Sequence, residues 1–562
     1  MTPFATVRSI LLAITIAAGT ITAQVLPVKL YGGARSERAY ALVQGSDQGF
    51  CLAGWTTSFG PGTPNASNVL VTKTDAAGVP LWSRMSVGTN TDEAYSMVRT
   101  SDNGYAITGW TRSYGPGTPN KNIFAIKLDP AGNQIWGWVY GGMQDEEAYS
   151  IIETRDSGFA ITGWTASFGA QPMPNAFVLR LNRQGWPVWF RTYWGIPMHM
   201  EDEGHSIVET PDLGFAVAGR MKATTPNNYD PFLLKVDPMG RVQWAEIVPG
   251  VTDQEDGWSV ALDVSGKLVV SGWTRSFGTN PGVSADAFVA RFGLDGSLLW
   301  SSTFGWLRGD EQVLDDRSLV ATSDGGSAIS GLTTSVGPGI PNPNFLILKL
   351  NQNGQPMWCR SHPSPYWPGL QTDVGLPIIE QPGGGYAVAG YSDSYNLLGN
   401  GDDMVLSTFD LMGNRPVCTE SQEPEVESLP WHEWQMVDSA YYISEDTMRL
   451  VPVVVRHDSV CYDTTSMGAE EMNHDQTWTM QRNGGELGLR VVRGMVELNI
   501  VRSGQLSVEL LSISGRHVAT LAQGDFTAGR HELGLPLDLA AGLYLVRAEI
   551  DGTAATAKAV IY

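Results

Sequence analysis

Residues 105–136 read Tyr-Ala-Ile-Thr-Gly-Trp-Thr-Arg-Ser-Tyr-Gly-Pro-Gly-Thr-Pro-Asn-Lys-Asn-Ile-Phe-Ala-Ile-Lys-Leu-Asp-Pro-Ala-Gly-Asn-Gln-Ile-Trp. Two marks inside this stretch decide the fold: Gly109 followed by Trp110, and Gly132 followed four residues later by Trp136. The first recurs at Gly54, Gly109, Gly163, Gly219, Gly272, Gly331 and Gly390, with spacings of 55, 54, 56, 53, 59 and 59 residues. The residue after it is Trp55, Trp110, Trp164, Arg220, Trp273, Leu332 and Tyr391. The second recurs as Gly78/Trp82, Gly132/Trp136, Gly185/Trp189, Gly240/Trp244, Gly296/Trp300 and Gly354/Trp358, and decays to Gly413/Val417. Two independent marks in one register identify seven copies of a single unit.

Each copy holds four strand patterns. In the second copy the first is Ala94 to Val98. The turn Ser101-Asp102-Asn103-Gly104 follows, with Asp opening it and Gly104 expected at the left-handed position. Tyr105 to Trp110, Ile123 to Leu128 and Gln134 to Tyr140 complete the set. Four antiparallel strands in roughly 50 residues are the pattern of a propeller blade. A single such sheet buries neither face; stacking copies face to face does, and the periodic Trp residues are expected to fill the space between them. The seventh copy lacks its fourth strand. Val28-Lys29-Leu30-Tyr31-Gly32-Gly33 matches Trp138-Val139-Tyr140-Gly141-Gly142, so the N-terminal segment is predicted to complete the last blade. The expected fold class is therefore all-β: a seven-bladed β-propeller over residues 25–420, followed by a small C-terminal β-sandwich.

The repeat resembles the seven-bladed propeller repeats of bacterial surface proteins. The residues that carry the likeness are Tyr-Gly-Gly, Asp-Glu-Ala-Tyr-Ser, Gly-Trp-Thr-x-Ser-Phe-Gly and Lys-Leu-Asp-x-x-Gly-x-x-x-Trp. That resemblance implies a fold and supplies no substrate. The Asp-x-x-Gly-x-x-x-Trp run is also similar to the tryptophan-docking repeat of pyrroloquinoline-quinone enzymes and to the Asp-box of sialidases. The chain shows neither the dedicated cofactor residues of the first nor the arginine triad of the second.

The ends of the chain carry a delivery pattern. Arg8, an apolar run from Ile10 to Ala18 and a small polar stretch to Ala23 read as a signal peptide over residues 1–23, too short to span a bilayer. Residues 421–484 read as acidic linker around a small β extension at Leu450 to Val455. Residues 485–562 hold strand patterns at Val496 to Val501, Leu506 to Ser512, Arg530 to Leu535, Gly542 to Ile550 and Ala555 to Ile561. This tail resembles the C-terminal sorting domain of type IX secretion cargo, on Val508 to Arg516, Ala528-Gly529-Arg530-His531, Gly542 to Arg547 and Lys558 to Tyr562. The resemblance implies the secretion machinery as a partner, and a secreted or outer-membrane surface location in a Gram-negative bacterium.

Composition narrows the function classes. Of 562 residues, 42% are hydrophobic and 17% charged, which excludes wholesale disorder. The net charge of −22 repels phosphate backbones, so nucleic acid is excluded as a partner. No transmembrane segment is expected. Of the cysteines Cys51, Cys359, Cys418 and Cys461, Cys51 lies in a strand and reads as a buried thiol. Cys418–Cys461 is the favoured disulfide, because both flank the segment that leaves the repeats.

The most suggestive polar feature is an acidic pair opening each first strand: Asp92-Glu93, Glu146-Glu147, Asp202-Glu203, Glu255-Asp256 and Asp315-Asp316, weakening to Glu37-Arg38 and Thr372-Asp373. Equivalent positions fall on one face, so these carboxylates are expected to form a ring that satisfies its own loops, takes Ca²⁺, or meets a cationic or polyhydroxylated ligand. No other cofactor is indicated. Asn68, Asn122, Asn175, Asp230, Asp286, Asn344 and Asp403 form a second ring, read as turn caps. His199 and His205 flank Met200-Glu201-Asp202-Glu203 without a zinc spacing and read as a solvated loop. The chain has no Gly-x-Ser-x-Gly, His-Glu-x-x-His or phosphate-cradling Gly-Lys-Ser motif. The leading expectation is a non-enzymatic surface propeller that binds an extracellular glycan or protein. The alternatives are a secreted polysaccharide hydrolase or lyase using the acidic face, and a structural spacer.

Overall fold

The computed structural model describes residues 28–413 and 487–561, apart from 34, 61–65, 87, 170–172, 195–200, 223–228, 248–254, 278–281, 306–308, 314–316, 335–342, 363–372, 393–400, 493–494, 501–502, 513–516, 535–541 and 551–552, together with short strands between 420 and 460. The signal-like segment, His199, Asp315, Asp316, Cys418 and Cys461 lie outside the described residues. The described residues are all β, with no helix among them. The chain divides into two compact units, Met1–Thr465 and Ser466–Tyr562.

The first unit is propeller-like. Its repeats form antiparallel sheets, each built in chain order from an inner to an outer strand. The second sheet is typical: Asp92–Arg99, Tyr105–Thr111, Asn122–Leu128 and Gln134–Tyr140. Inner strands touch in sequence, Glu37–Gln44 against Asp92–Arg99, then Glu146–Glu153, Asp202–Glu209, Glu255–Leu262, Leu319–Ala321 and Asp373–Glu380, which returns to Glu37–Gln44. The sheets therefore close on themselves. Val28–Gly32 completes the seventh sheet, with Lys29 opposite Leu406 and Tyr31 opposite Met404.

The sequence marks acquire physical reasons. Each fourth-strand Trp donates its indole N–H to the turn of the next sheet: Trp82 to Pro130 O at 3.3 Å, Trp136 to Arg183 O at 3.2 Å, Trp244 to Leu294 O at 2.9 Å. The Gly four residues before the next Trp lies under that ring. A Cβ on Gly132, whose φ is 77°, would stand 2.8 Å from the Trp82 ring. Tyr140 and Tyr193 make the same step to Gly185 O and Gly240 O. In the first hairpin turn it is Asn103, at φ 65°, that takes the left-handed conformation, rather than Gly104. Gly104 is required for a different reason: a Cβ there would meet Leu128 O at 2.2 Å.

An ion pair with a buried cation also repeats. The third strand carries Lys73, Lys127, Arg180, Lys235, Arg291 or Lys349, each paired with the turn acid Asp47, Asp102, Asp156, Asp212, Asp263 or Asp324. Lys127 also donates to Leu128 O at 3.0 Å, so its ammonium is satisfied although nearly buried. The seventh sheet replaces the cation with Thr408.

The segment after the repeats differs from a linker with a separate extension. Short strands at Glu420–Ser421, Glu425–Glu427, His432–Glu433, Ile443–Ser444, Leu450–Pro452 and Arg456–Val460 pair with the outer strands of the sixth, fifth, fourth, second, first and seventh sheets in turn. The second unit has two antiparallel sheets, one of Leu487–Val492, Met495–Ile500 and Gly529–Gly534, the other of Gly504–Ser512, His517–Phe526, Gly542–Ile550 and Thr553–Ile561. Both contribute to one apolar cluster, including Val496, Leu498, Val508, Leu510, Val546 and Ala548.

Candidate functional site

Each acidic pair separates into two positions with different fates, because neighbouring strand residues face opposite ways. The first acid is buried under its own loop. Glu37 accepts the Thr56 hydroxyl at 2.6 Å, the Ser58 N–H at 3.2 Å and the Gly33 N–H at 2.7 Å. Asp92 accepts Thr111 and Ser113 hydroxyls; Glu146 accepts Thr165, Ser167 N–H and Gly142 N–H; Glu255 accepts Thr274 and Ser276 N–H. This explains the Gly-Trp-Thr-x-Ser motif: Thr and Ser supply donors to the acid on the neighbouring strand. Burial pushes Asp92 up to about 6 and Glu255 up to about 7 against those bonds. Asp202 is likewise buried, and Asp373 stands opposite Ser392 in the same register.

The sixth copy departs from the expected pairing. Glu311 and Gln312, not Asp315 and Asp316, stand opposite Thr333 and Leu332, and Glu311 accepts the Thr333 hydroxyl at 2.9 Å. The inner strand of this copy is in two pieces, Glu311–Gln312 and Leu319–Ala321.

The second positions gather the chemistry. A β-bulge follows each of them: the pairing shifts between Ala39 and Ala41, Ala94 and Ser96, Ala148 and Ser150, and Gly204 and Ser206. The extra residue in each bulge is Tyr40, Tyr95, Tyr149 or His205, re-aimed off the sheet. Their rings meet edge to face from sheet to sheet: Tyr40 and Tyr95 at 5.0 Å, Tyr95 and Tyr149 at 5.6 Å, Tyr149 and His205 at 5.1 Å. The last three are tied to the acid two residues before them, a position that Arg38 holds before Tyr40. Tyr95 donates to Glu93 at 3.0 Å, Tyr149 to Glu147 at 3.1 Å, and His205 Nε2 lies 3.1 Å from Glu203. His205 thus sits buried on a strand, not in a solvated loop.

Cations interleave with this file. Arg38 lies 4.0 Å over Tyr391 and pairs with Asp402 at 2.6 Å. Lys121 lies 4.2 Å over Trp110 and pairs with Glu147. Arg220 lies 4.6 Å over Tyr229 and reaches both Glu203 at 3.1 Å and Asp256 at 3.3 Å. Burial would raise Glu203, but His205 and Arg220 outweigh it and hold the carboxyl at about 2. Burial pushes Asp256 up to about 7, opposed by Arg220 and reinforced by Glu203. Two carboxylates on one guanidinium thus have proton affinities driven far apart.

Glu93, Glu147, Glu203 and Asp256 were legible in the sequence, whereas the bulge tyrosines and the cations were not, and His205 was read as a loop residue. One signal was present: Arg220 replaces Trp at a repeat mark. Among the described residues no three His, Cys, Asp or Glu side chains converge as metal ligands. Among the same residues no helix is long and apolar enough to cross a membrane.

No family model matches the chain, and no curated protein does. Among solved structures it is similar to the polysaccharide lyase Uly1 at 10% identity, over 71% of this chain and 94% of that one, with a TM-score of 0.42. It is similar to PorZ, described as a surface component of the type-IX secretion system of Porphyromonas gingivalis, at 9% identity, over 95% and 85% of the two chains, with a TM-score of 0.24. A GH43_12 protein from capybara gut metagenome gives 9% identity, 95% coverage of both chains and a TM-score of 0.26. Likenesses this weak carry no inference about activity.

Proposed function

We propose that the chain is an exported, seven-bladed β-propeller that binds a polyhydroxylated ligand, a glycan, on the face carrying the bulged inner strands. The observation that carries this reading is the continuous file Tyr40–Tyr95–Tyr149–His205, half-buried at its tyrosines and hydrogen-bonded to Glu93, Glu147 and Glu203. Aromatic faces stack on the C–H faces of sugars, and adjacent carboxylates and cations orient hydroxyls, the usual division of labour in a small-molecule site. The first-position acids serve their own loops, so the ligand-binding set we assign is Glu93, Glu147, Glu203 and Asp256 with those tyrosines. The tail motifs support reading the second unit as a β-sandwich sorting domain, with the secretion machinery as its partner and the cell surface or medium as its destination.

The test is binding of the purified full chain to a panel of neutral and acidic polysaccharides by calorimetry. Tyr95→Ala and Tyr149→Ala are expected to weaken binding by about tenfold or more while remaining folded, the equivalent of about 1.4 kcal/mol. Folded variants that bind as tightly as the parent would remove the reading. A second reading, glycan hydrolysis, is favoured by Glu203 and Asp256 on Arg220, one held ionised and the other pushed up to about 7. Turnover of any panel polymer, abolished by Asp256→Asn, would establish it over binding alone.

A further inference from the structure

The interruption of the sixth inner strand holds a side chain that reaches beyond its own sheet and the neighbouring one. Arg317 lies between the two pieces of that strand, Glu311–Gln312 and Leu319–Ala321. Its backbone remains with its own side of the ring: Arg317 O accepts the Ile378 N–H of the seventh sheet at 3.0 Å, and Ser318 O accepts Ser330 N–H at 2.9 Å. Its guanidinium does not. Arg317 Nε and Nη2 donate to Ser96 Oγ at 3.2 and 3.1 Å, and Nη2 donates to Ile151 O at 2.5 Å.

Ser96 belongs to the inner strand of the second sheet and Ile151 to that of the third. In a closed ring whose inner strands touch in order, the second and third sheets are those farthest from the sixth, three steps away in either direction. A side chain joining them must pass across the axis. Ser96 Oγ also accepts the Ile151 N–H at 3.1 Å, so the guanidinium completes a bridge between two adjacent strands. The contacted residues matter. Ser96 is the residue immediately after the bulged Tyr95, and Ile151 lies two residues after the bulged Tyr149.

We infer that Arg317 is a crossbar: it closes the axial bore from the opposite side of the ring and fixes the two bulges that present Tyr95 and Tyr149. This rests on the reading of those tyrosines as the ligand face. Arg317 is a positioning residue, acting through Ser96 and Ile151. A planar fork with several donors suits the task, since one guanidinium serves a hydroxyl and a carbonyl on different strands.

The test uses the full chain and two variants, Arg317→Ala and Arg317→Lys, with amide hydrogen exchange read by mass spectrometry. Arg317→Ala is expected to speed exchange about tenfold or more in peptides covering 96–98 and 150–152, while the inner strands of the fourth and fifth sheets keep parental rates. Arg317→Lys keeps the charge and restores part of the protection. Should Arg317→Ala not fold, Arg317→Lys is compared directly with the parent, and faster exchange confined to those two strands supports the crossbar. Parental rates in both strands, or acceleration spread evenly around the ring, would overturn it. Binding of the polysaccharide panel is measured in parallel. A parent that binds no polysaccharide defeats the ligand-face reading alone, because the exchange result still decides the crossbar.

Discussion

The Tyr31 hydroxyl donates to the Gly78 carbonyl oxygen at 2.8 Å, joining residues 47 positions apart across the seam where the ring closes. It is the step that Tyr140 makes to Gly185 and Tyr193 to Gly240, now made by a strand from the beginning of the chain. Tyr31 is fully buried, so its loss leaves a buried carbonyl without that donor. Tyr31→Phe is expected to cost about 1–2 kcal/mol in urea unfolding. An unchanged midpoint would show that the seam is held by other contacts. Removing residues 1–33 bares the edge of Asp403–Phe409 and should cause concentration-dependent self-association in size-exclusion chromatography.

The repeated Lys–Asp pair makes an asymmetric prediction. The Lys127 side chain is 6% exposed and Asp102 is 56% exposed. Asp102→Ala removes a half-exposed partner from a buried ammonium that still donates to Leu128 O, and is expected to cost about 1 kcal/mol. Lys127→Met in the same background should recover much of it, since an apolar side chain of similar length then fills the site. The double-mutant cycle in urea is the measurement, and additive effects would contradict the pairing.

Stability should peak in mildly acidic solution. Asp256 and Glu255 are pushed up to about 7 and Asp92 to about 6, so the folded chain binds protons there that the unfolded chain does not. By linkage their contribution increases as pH falls from about 8 towards the ordinary carboxylate range. Glu203 and Asp102, held near 2, act in the opposite sense: their stabilisation is present above that ordinary range and is lost as pH falls through it towards 2. The exposure of Asp102 makes its share small. Thermal midpoints should therefore rise from about pH 8 to about pH 5 and fall below about pH 4. Asp256→Asn should flatten the first limb; a midpoint that climbs steadily towards pH 8 would count against this balance.

Thiol titration separates the cysteines. Cys51 and Cys359 are buried free thiols, and burial pushes both proton affinities up. Neither is expected to react with a disulfide reagent until the chain unfolds. In denaturant without reductant, two reactive thiols would accord with the proposed Cys418–Cys461 bond; four would exclude it.

The repeat was legible because Gly and Trp at its marks are fixed by backbone approach and ring stacking, as at Gly132 under Trp82. The bulges were not, since Tyr95 sits in a run that reads as ordinary alternation and only the shifted pairing reveals its direction. The acids were found by type, but their division into loop-serving Asp92 and face-forming Glu93 depends on which side of the strand each occupies. Asp315 and Asp316 lie outside the described residues, and the register position expected for such a pair is held by Glu311 and Gln312, which the acidic-pair pattern did not single out. Of the outer strands after residue 420 only that at Leu450–Pro452 was read, as a separate extension; the others are two to five residues long and have no period.

Those outer strands set a clock on assembly. They visit the ring in descending order and end at Arg456–Val460, beside Val28–Gly32, which is itself held against Asp403–Phe409. The first strand of the first unit therefore lies between two segments synthesised hundreds of residues later. A chain emerging N-terminus first can form its middle sheets early, but the seam stays open until nearly the whole unit is out. The slowest event in maturation should be this final stitching, and a chaperone that shields one unpaired N-terminal strand would have the longest wait.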